Sequence, residues 1–208
     1  GFVGYRELDG QAVYTLMTKN VPNSTIQGVE LEFDWKPYEA GRLFGWVSML
    51  DTENGGSSSA EGTQDGYLCL ERALVGIDPC SADGSIDLSG KNLTWSPELS
   101  WNLQFEHNTY TGNGFRIMNV INVNYTGEMF YNETNYASDP FHSGRDDLHT
   151  VNTSMVFIDE ANAWALEFYV HNATDELIKT DSYPANAGFV KAMYAPPMAY
   201  GVRFNKDF

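Results

Sequence analysis

The sequence W-A-L-E-F-Y-V, residues 164 to 170, decides the fold class of this chain. Its apolar side chains recur at every second position, and Glu167 and Tyr169 fall between them. Because successive side chains on a strand point to opposite faces, the pattern predicts a β-strand with one face in a core and the other toward water or a ligand. The turn-like H-N-A-T-D and the run Glu176 to Tyr183 that follow predict that this strand continues into a β-hairpin.

The rest of the chain repeats this pattern. Further strands are predicted over residues 11–18, 26–35, 42–50, 99–107, 115–125, 150–158 and 199–204. The first three are expected to be consecutive antiparallel neighbours, and T-G-N-G before Phe115 is a hairpin signal. Many short strands with little helix predict an all-β protein, a β-sandwich or jelly roll of two antiparallel sheets with a concave ligand face. The length suits a single domain over residues 1–208.

Two segments interrupt the strand pattern. Residues 51–66 are too polar and glycine-rich to be buried and are predicted to form a loop. Residues 66–76 fit either a strand or a short helix.

Charge and hydropathy restrict the partners. The chain has 12 Lys and Arg against 28 Asp and Glu, a net charge of -16, which disfavours nucleic acid and anionic membrane surfaces. No apolar run approaches the roughly 18 residues of a membrane-spanning helix. With no signal peptide visible at Gly1, we expect a mature or trimmed secreted protein, monomeric and without a membrane partner.

Sequons and cysteines also favour secretion. The N-x-S/T sequons exceed the number expected by chance and predict surface glycosylation sites in a eukaryotic secretory route; they stand at Asn23, Asn92, Asn124, Asn132, Asn152 and Asn172. Cys69 and Cys80 predict one disulfide closing a short loop, worth roughly 2 to 3 kcal/mol. Two free buried thiols are the alternative.

Residues 153–184, with W-A-L-E-F-Y-V-H-N-A-T-D-E-L-I-K-T, resemble the penultimate hairpin of concanavalin A-like jelly rolls. That superfamily contains legume-type lectins, glucanases and polysaccharide lyases. The resemblance implies a protein that binds carbohydrate on a concave sheet. His171-Asn172 stands where the family often has Asp-Gly, and a fold-level likeness does not by itself fix a function.

Several carboxylates fall on one side of predicted strands. Glu30, Glu32 and Asp34 occupy alternate positions, and neighbours on such a row are roughly 6.6 Å apart along the backbone. That spacing is compatible with the paired carboxyls of glycoside hydrolysis. Glu106 and Glu167 are further outward carboxylates. A solvated strand face is the alternative explanation for both sets.

The remaining candidates complete a glycan site. His171 joins the predicted catalytic carboxylates Glu32, Asp34, Glu106 and Glu167, and the expected substrate-binding residues are Gln104, Tyr169, Trp95 and Arg116. Trp95 is the preferred exposed aromatic, whereas Trp46, Trp101 and Trp164 are predicted to lie in the core.

No cofactor is expected beyond a possible structural calcium, in the D-T-E-N segment from Asp51 or near Asp83 and Asp87. A solvated acidic turn is the alternative. The sequence thus favours a secreted, disulfide-bonded glycoprotein of hydrolase type that degrades polysaccharide. A non-catalytic lectin or adhesin is the alternative hypothesis, and a polysaccharide lyase or a surface glycoprotein is the third hypothesis.

Overall fold

The computed structural model describes residues 2–8, 11–17, 23–59, 85–133, 135, 144–185 and 189–207. The strands in this part of the chain are β1 Phe2–Leu8, β2 Gln11–Met17, β3 Thr25–Tyr38, β4 Gly41–Glu53, β5 Ser57–Ser59, β6 Ser85–Asp87, β7 Leu99–Tyr110, β8 Phe115–Thr126, β9 Met129–Phe130, β10 Gly144–Arg145, β11 Leu148–Asp159, β12 Trp164–His171, β13 Lys179–Ala185, β14 Phe189–Tyr194 and β15 Ala199–Lys206. Among the described residues we find no helix with the length and apolar character needed to span a lipid bilayer.

Seven long strands form one antiparallel sheet in the order β15-β12-β11-β8-β7-β4-β3. The other strands form separate antiparallel pairs: β1 with β2, β5 with β6, β9 with β10, and β13 with β14. The prediction of an all-β protein is therefore confirmed. No second large sheet packs on this one in the part of the chain that is described.

Connections of the large sheet differ sharply between its two ends. At one end, which we call the short-turn end, strands are joined through residues 39–40, 111–114 and 160–163. At the other, the long-connection end, they are joined through residues 54–98, 127–147 and 172–198. The small pairs β5–β6, β9–β10 and β13–β14 belong to these long connections.

One face of the large sheet is apolar, and much of it is exposed. The cross-strand register joins residues of this apolar face directly, as in Leu31 opposite Val47 and Phe157 opposite Leu166. The apolar face comprises Val29, Leu31, Phe33, Trp35, Leu43, Val47, Met49, Leu99, Trp101, Leu103, Phe105, Phe115, Ile117, Ile121, Val123, Tyr125, Val151, Met155, Phe157, Trp164, Leu166, Phe168, Val170, Tyr200, Val202 and Phe204. Leu31 is 63% exposed and Phe168 46%. Within these seven strands, the charged residues of this face lie near the strand ends.

The opposite face is mainly polar. The polar face carries Glu30, Glu32, Asp34, Arg42, Ser48, Asn102, Gln104, Glu106, Asn108, Arg116, Asn122, Asn124, Asn152, Ser154, Glu167, Tyr169, His171, Arg203 and Asn205. Trp46 lies on this face and not with Trp101 and Trp164, so the prediction that all three tryptophans lie in one core is wrong.

The large sheet buries little on its own, because the buried apolar side chains of the described residues lie outside it. They are Leu88, Phe130 and Tyr131, all in the long connections. Backbone hydrogen bonds tie these connections together, for example from Trp95 N to Phe130 O at 2.9 Å. We call this packed region at the long-connection end the cap.

Most predicted strands are confirmed, with their ends shifted by a few residues. The predicted hairpin after β12 is wrong, since β12 pairs with β11 and β15, whereas Lys179–Ala185 pairs with β14. The expected trio of neighbours is correct only for β3 and β4, because β2 pairs with β1. Of the predicted loop over residues 51–66, the described part contains the end of β4 and all of β5; residues 66–76 lie outside the described residues.

Candidate functional site

A directed chain of side-chain hydrogen bonds crosses the middle of the polar face. Asn102 donates to Asn124 at 2.6 Å, Asn124 donates to Asn122 at 2.7 Å, and Asn122 donates to Gln104 at 3.3 Å. Gln104 in turn donates to Glu106 at 2.9 Å. These residues belong to β7 and β8 and are only partly buried. Each side chain of this hydrogen-bond chain is oriented by its neighbour, so the polar groups of β7 and β8 have defined positions on this face.

Three of the candidate catalytic carboxylates form ion pairs with arginines. Asp34 accepts two hydrogen bonds from Arg42, at 2.6 and 3.0 Å, and Glu106 lies 4.0 Å from the same guanidinium. Glu167 accepts from Arg203 at 2.7 Å. Both arginines belong to strands adjacent to those of the carboxylates they bind. Each of these carboxylates therefore faces a cation across the ladder.

The large sheet keeps the two most promising carboxylates apart. Glu106 lies on β7 and Glu167 on β12, with β8 and β11 between them. Three strand spacings of about 4.8 Å put the two backbones roughly 14 Å apart, beyond the separation of paired glycosidase carboxyls. Beside Glu167, Tyr169 and His171 have ring centroids 4.9 Å apart. Glu30 accepts from Ser48 at 3.3 Å, and no contact joins Glu32 to the other candidates in the described part of the chain.

Arg116 and Trp95, the other substrate-binding candidates, lie at opposite ends of the molecule. Arg116 is at the start of β8, at the short-turn end, where it donates to Asn108 and Glu160. Trp95 lies in the first long connection with φ of 60° and a 53% exposed side chain. Its exposure agrees with the sequence prediction. The two residues cannot line one small pocket.

The cap brings the three long connections together around Tyr131. The Tyr131 ring contacts Trp95 in a tilted arrangement with centroids 4.8 Å apart, and its hydroxyl donates a short hydrogen bond to the Lys179 carbonyl. Lys179 Nζ donates to the Gly144 carbonyl at 2.8 Å, and Arg145 lies near enough to Tyr131 to interact electrostatically with its phenol. Burial raises the pKa of Tyr131 and lowers the pKa of Arg145. Sequence reasoning missed this cluster, since its residues follow no strand period and are far apart in the chain.

Predicted glycosylation sites do not all lie at the surface. Asn172 is only 6% exposed and donates through its side-chain nitrogen to the Glu176 carbonyl at 2.9 Å. Asn124 uses the same atom in the amide chain. The predicted surface position is therefore wrong for Asn172.

No disulfide is found among the described residues. The two cysteines of the predicted disulfide, Cys69 and Cys80, lie outside that part of the chain.

Candidate calcium ligands are only partly visible. The Asp51 carboxylate accepts from Gln27 at 2.7 Å, and the Asn54 side chain is buried and accepts from Ser24. Asp83 and the Asp87 side chain lie outside the described part of the chain. Within the described ranges, no group of three or more His, Cys, Asp or Glu side chains could hold a metal ion.

The fold matches solved structures of two receptors. One is the ferric yersiniabactin uptake receptor of Yersinia pestis, with a TM-score of 0.65 and 17% identity over 89% of this chain. The other is the ferric preacinetobactin receptor of Acinetobacter baumannii, with a TM-score of 0.58 and 14% identity over 98% of this chain. The chain spans 24% of the length of each. No protein-family model matches the sequence, and no curated protein matches it.

These likenesses overturn several predictions. The concanavalin A-like jelly roll is wrong, because the fold is shared with two receptors for ferric compounds. The prediction of polysaccharide cleavage is contradicted by these likenesses, and the lectin alternative has no support from them. The prediction of a secreted, glycan-binding hydrolase without a membrane partner is contradicted by the same finding. In physical terms, the apolar face that was assigned to a core is exposed.

Proposed function

We propose that this chain is part of the membrane-spanning wall of an outer-membrane receptor that takes up a ferric chelate. The observation that carries the proposal is the TM-score of 0.65 to the ferric yersiniabactin uptake receptor over 89% of the chain. At 17% identity the likeness concerns the fold, so the function is argued from the two faces and two ends of the sheet.

The apolar face supports contact with lipid chains. Soluble proteins rarely expose contiguous apolar patches larger than a few hundred Å², yet apolar side chains are exposed on strands from β3 at one edge of the large sheet to β15 at the other. Strands that cross a bilayer need about 9 to 11 residues. Five of the seven strands have 12 to 14 residues, and β12 and β15 have 8. The strands of the large sheet are thus about as long as strands that cross a bilayer.

Aromatic side chains occur near both ends of the apolar face. Toward the long-connection end, Tyr125 contacts both Trp101 and His149, with ring centroids 5.8 and 4.7 Å apart. Toward the short-turn end, Trp164 contacts both Phe115 and Phe204, at 5.8 and 6.2 Å. Bands of aromatic residues at the two membrane interfaces are typical of proteins that cross an outer membrane with strands.

The connections give the orientation. Outer-membrane proteins of this kind have short turns on the periplasmic side and longer loops on the extracellular side. By this rule the short-turn end of the large sheet faces the periplasm and the cap faces outward. The polar face, with its chain of amides and its ion pairs, then lines the interior that a polar ferric chelate traverses.

The membrane placement is tested by labelling single cysteines in the complete natural protein in outer membranes, with Cys69 and Cys80 replaced by serine. Leu31→Cys and Glu32→Cys form a matched pair, because they are consecutive on β3 and point to opposite faces. We expect a bilayer-confined thiol reagent to label Leu31→Cys preferentially. A water-soluble maleimide that labels Leu31→Cys as readily as Glu32→Cys contradicts the membrane placement.

Uptake is tested separately with iron-55 in a Gram-negative host that lacks its own ferric-chelate receptors. We expect cells producing the complete protein to accumulate iron from at least one member of a panel of ferric carboxylate, catecholate and hydroxamate chelates. Cells producing the protein without residues 127–147 serve as the control, since this deletion removes the centre of the cap. Uptake from no chelate, by a protein that is correctly placed in the membrane, contradicts the receptor function alone.

A further inference from the structure

The Arg145 side chain is incompletely paired inside the cap. Its Nε and Nη1 atoms are buried and have no hydrogen-bond partner. Arg145 is in none of the ion pairs found in the described part of the chain, although Asp146 and Asp147 follow it directly. An unpaired buried donor costs about 1 to 3 kcal/mol, and more when the group is charged, so two free donors on one guanidinium call for an acceptor.

The surroundings of Arg145 select the charge of that acceptor. Lys179 places a second cation in the same cluster, with Nζ 6.0 Å from the centre of the Tyr131 ring. Asp181 is a negative charge near this cluster, and it raises the pKa of Tyr131 further. Both cations lie beside Tyr131 in a chain with only 12 basic residues against 28 acidic ones. The cluster is suited to an anion, which the acidic remainder of the protein repels.

We propose that the unpaired donors of Arg145, supported by Lys179, bind anionic oxygen atoms of the ferric chelate that this receptor takes up. The proposal rests on the proposed function and adds the ligand's charge. Nε and Nη1 lie on different sides of the guanidinium, so each can donate to a separate acceptor oxygen of an anionic ligand. Trp95 is in tilted ring contact with Tyr131, so its fluorescence is expected to respond to binding at this cluster.

The experiment compares the complete receptor in detergent with Arg145→Gln, Arg145→Lys and the control Arg116→Gln, which removes an arginine at the short-turn end. Three probes are titrated while tryptophan fluorescence is followed: ferric citrate, a ferric tris-catecholate, and a neutral ferric trishydroxamate. A parallel titration with iron-free citrate follows the midpoint of thermal unfolding. Loss of the fluorescence change in a Trp95→Phe variant identifies the cap as its source.

We expect Arg145→Gln to weaken binding of an anionic chelate by about tenfold or more, since a hydrogen bond to a charged group is typically worth at least that factor. Arg145→Lys is expected to recover part of the loss, and the neutral chelate and Arg116→Gln to show no change. An equal Kd for the anionic chelate in wild type and Arg145→Gln overturns the proposal and leaves the receptor function standing.

Iron-free citrate separates the two hypotheses further. If no ferric chelate binds, the proposed function fails, and the anion site is judged by citrate alone. Citrate is then expected to raise the unfolding midpoint of wild type clearly more than that of Arg145→Lys. An equal shift in both proteins, or none in either, overturns the anion site. Because Arg145→Lys retains the positive charge, this comparison remains decisive even when Arg145→Gln does not fold.

Discussion

Asn172 directly follows the last residue of β12 and has a left-handed backbone conformation, with φ of 49°. Its side-chain oxygen accepts from the Glu176 backbone at 3.0 Å, its side-chain nitrogen donates to the Glu176 carbonyl, and its backbone N–H donates to Asn152. Asparagine tolerates this φ better than other non-glycine residues. One residue thus satisfies the backbone where the chain leaves the large sheet and turns toward the cap.

Substitution of Asn172 separates its two contributions. We expect Asn172→Ala to lower the free energy of unfolding by about 1 to 3 kcal/mol, because the backbone N–H and C=O of Glu176 and the Asn172 turn lose two hydrogen bonds. Asn172→Gly loses the same hydrogen bonds but accepts the positive φ, and should cost about 1 kcal/mol less. Guanidinium unfolding of both variants measures the difference. If glycine is no better tolerated than alanine, the backbone conformation contributes nothing.

At the scale of single residues, the sequence located polar candidates but not their roles. Nine of the carboxylate, amide, aromatic and basic candidates do share the polar face, because strand alternation is a local property: Glu30, Glu32, Asp34, Gln104, Glu106, Arg116, Glu167, Tyr169 and His171. Which arginine binds which carboxylate depends on strand order, which no local pattern encodes. Arg145 and Tyr131 lie outside the seven long strands, where no alternating sequence pattern indicated their roles.

At the scale of strands, alternation in sequence predicted β3, β4, β7, β8, β11, β12 and β15 and failed to predict what covers them. An apolar row is the same in sequence whether it packs against a second sheet or against lipid chains. Trp164, Leu166 and Phe168 share one face as predicted, yet Phe168 is 46% exposed and the other two are only partly buried. The polar row opposite is what a soluble sandwich would present to water, so neither row distinguishes the two environments.

A charge placed on the apolar face distinguishes them. Leu31 is 63% exposed, so in water Leu31→Arg should change stability by no more than about 0.5 kcal/mol. In a membrane-spanning strand the same change costs about 2 to 4 kcal/mol at the midplane. We expect the larger cost, measured by guanidinium unfolding of the complete protein in bilayers. Glu32→Arg, on the other face of β3, is the matched control, and equal small effects for both would argue against lipid contact.

At the scale of the whole molecule, the predicted hairpin after β12 failed because the connection was far longer than a turn. β12 instead pairs with β15 across residues 172–198, and Met198 N donates to Asp175 at 2.9 Å to hold the entry into β15. Sequence proximity favoured Lys179–Ala185 as the partner, but that strand pairs with β14 within the same connection. The alternation of short turns and long connections can be recognised only when the order of all seven strands in the sheet is known.

This architecture separates two packed regions that should respond differently to damage. The large sheet is stabilised by the backbone hydrogen bonds between its strands. The cap depends on Tyr131, which is 8% exposed and contacts all three long connections. Removing such a buried ring typically costs about 3 to 5 kcal/mol. We therefore expect Tyr131→Ala to open the cap while the large sheet stays folded.

Limited proteolysis of the complete protein in membranes measures the cap, and the heat-dependent shift of its electrophoretic mobility measures the sheet. Tyr131→Ala should accelerate cleavage within residues 54–98, 127–147 and 172–198 by at least tenfold and leave the mobility shift unchanged. Tyr110→Ala, which removes an exposed ring at the short-turn end, should alter neither. Joint loss of both signals in Tyr131→Ala would mean that cap and sheet form one cooperative unit, because the stability of the ladders would then depend on the packing above them.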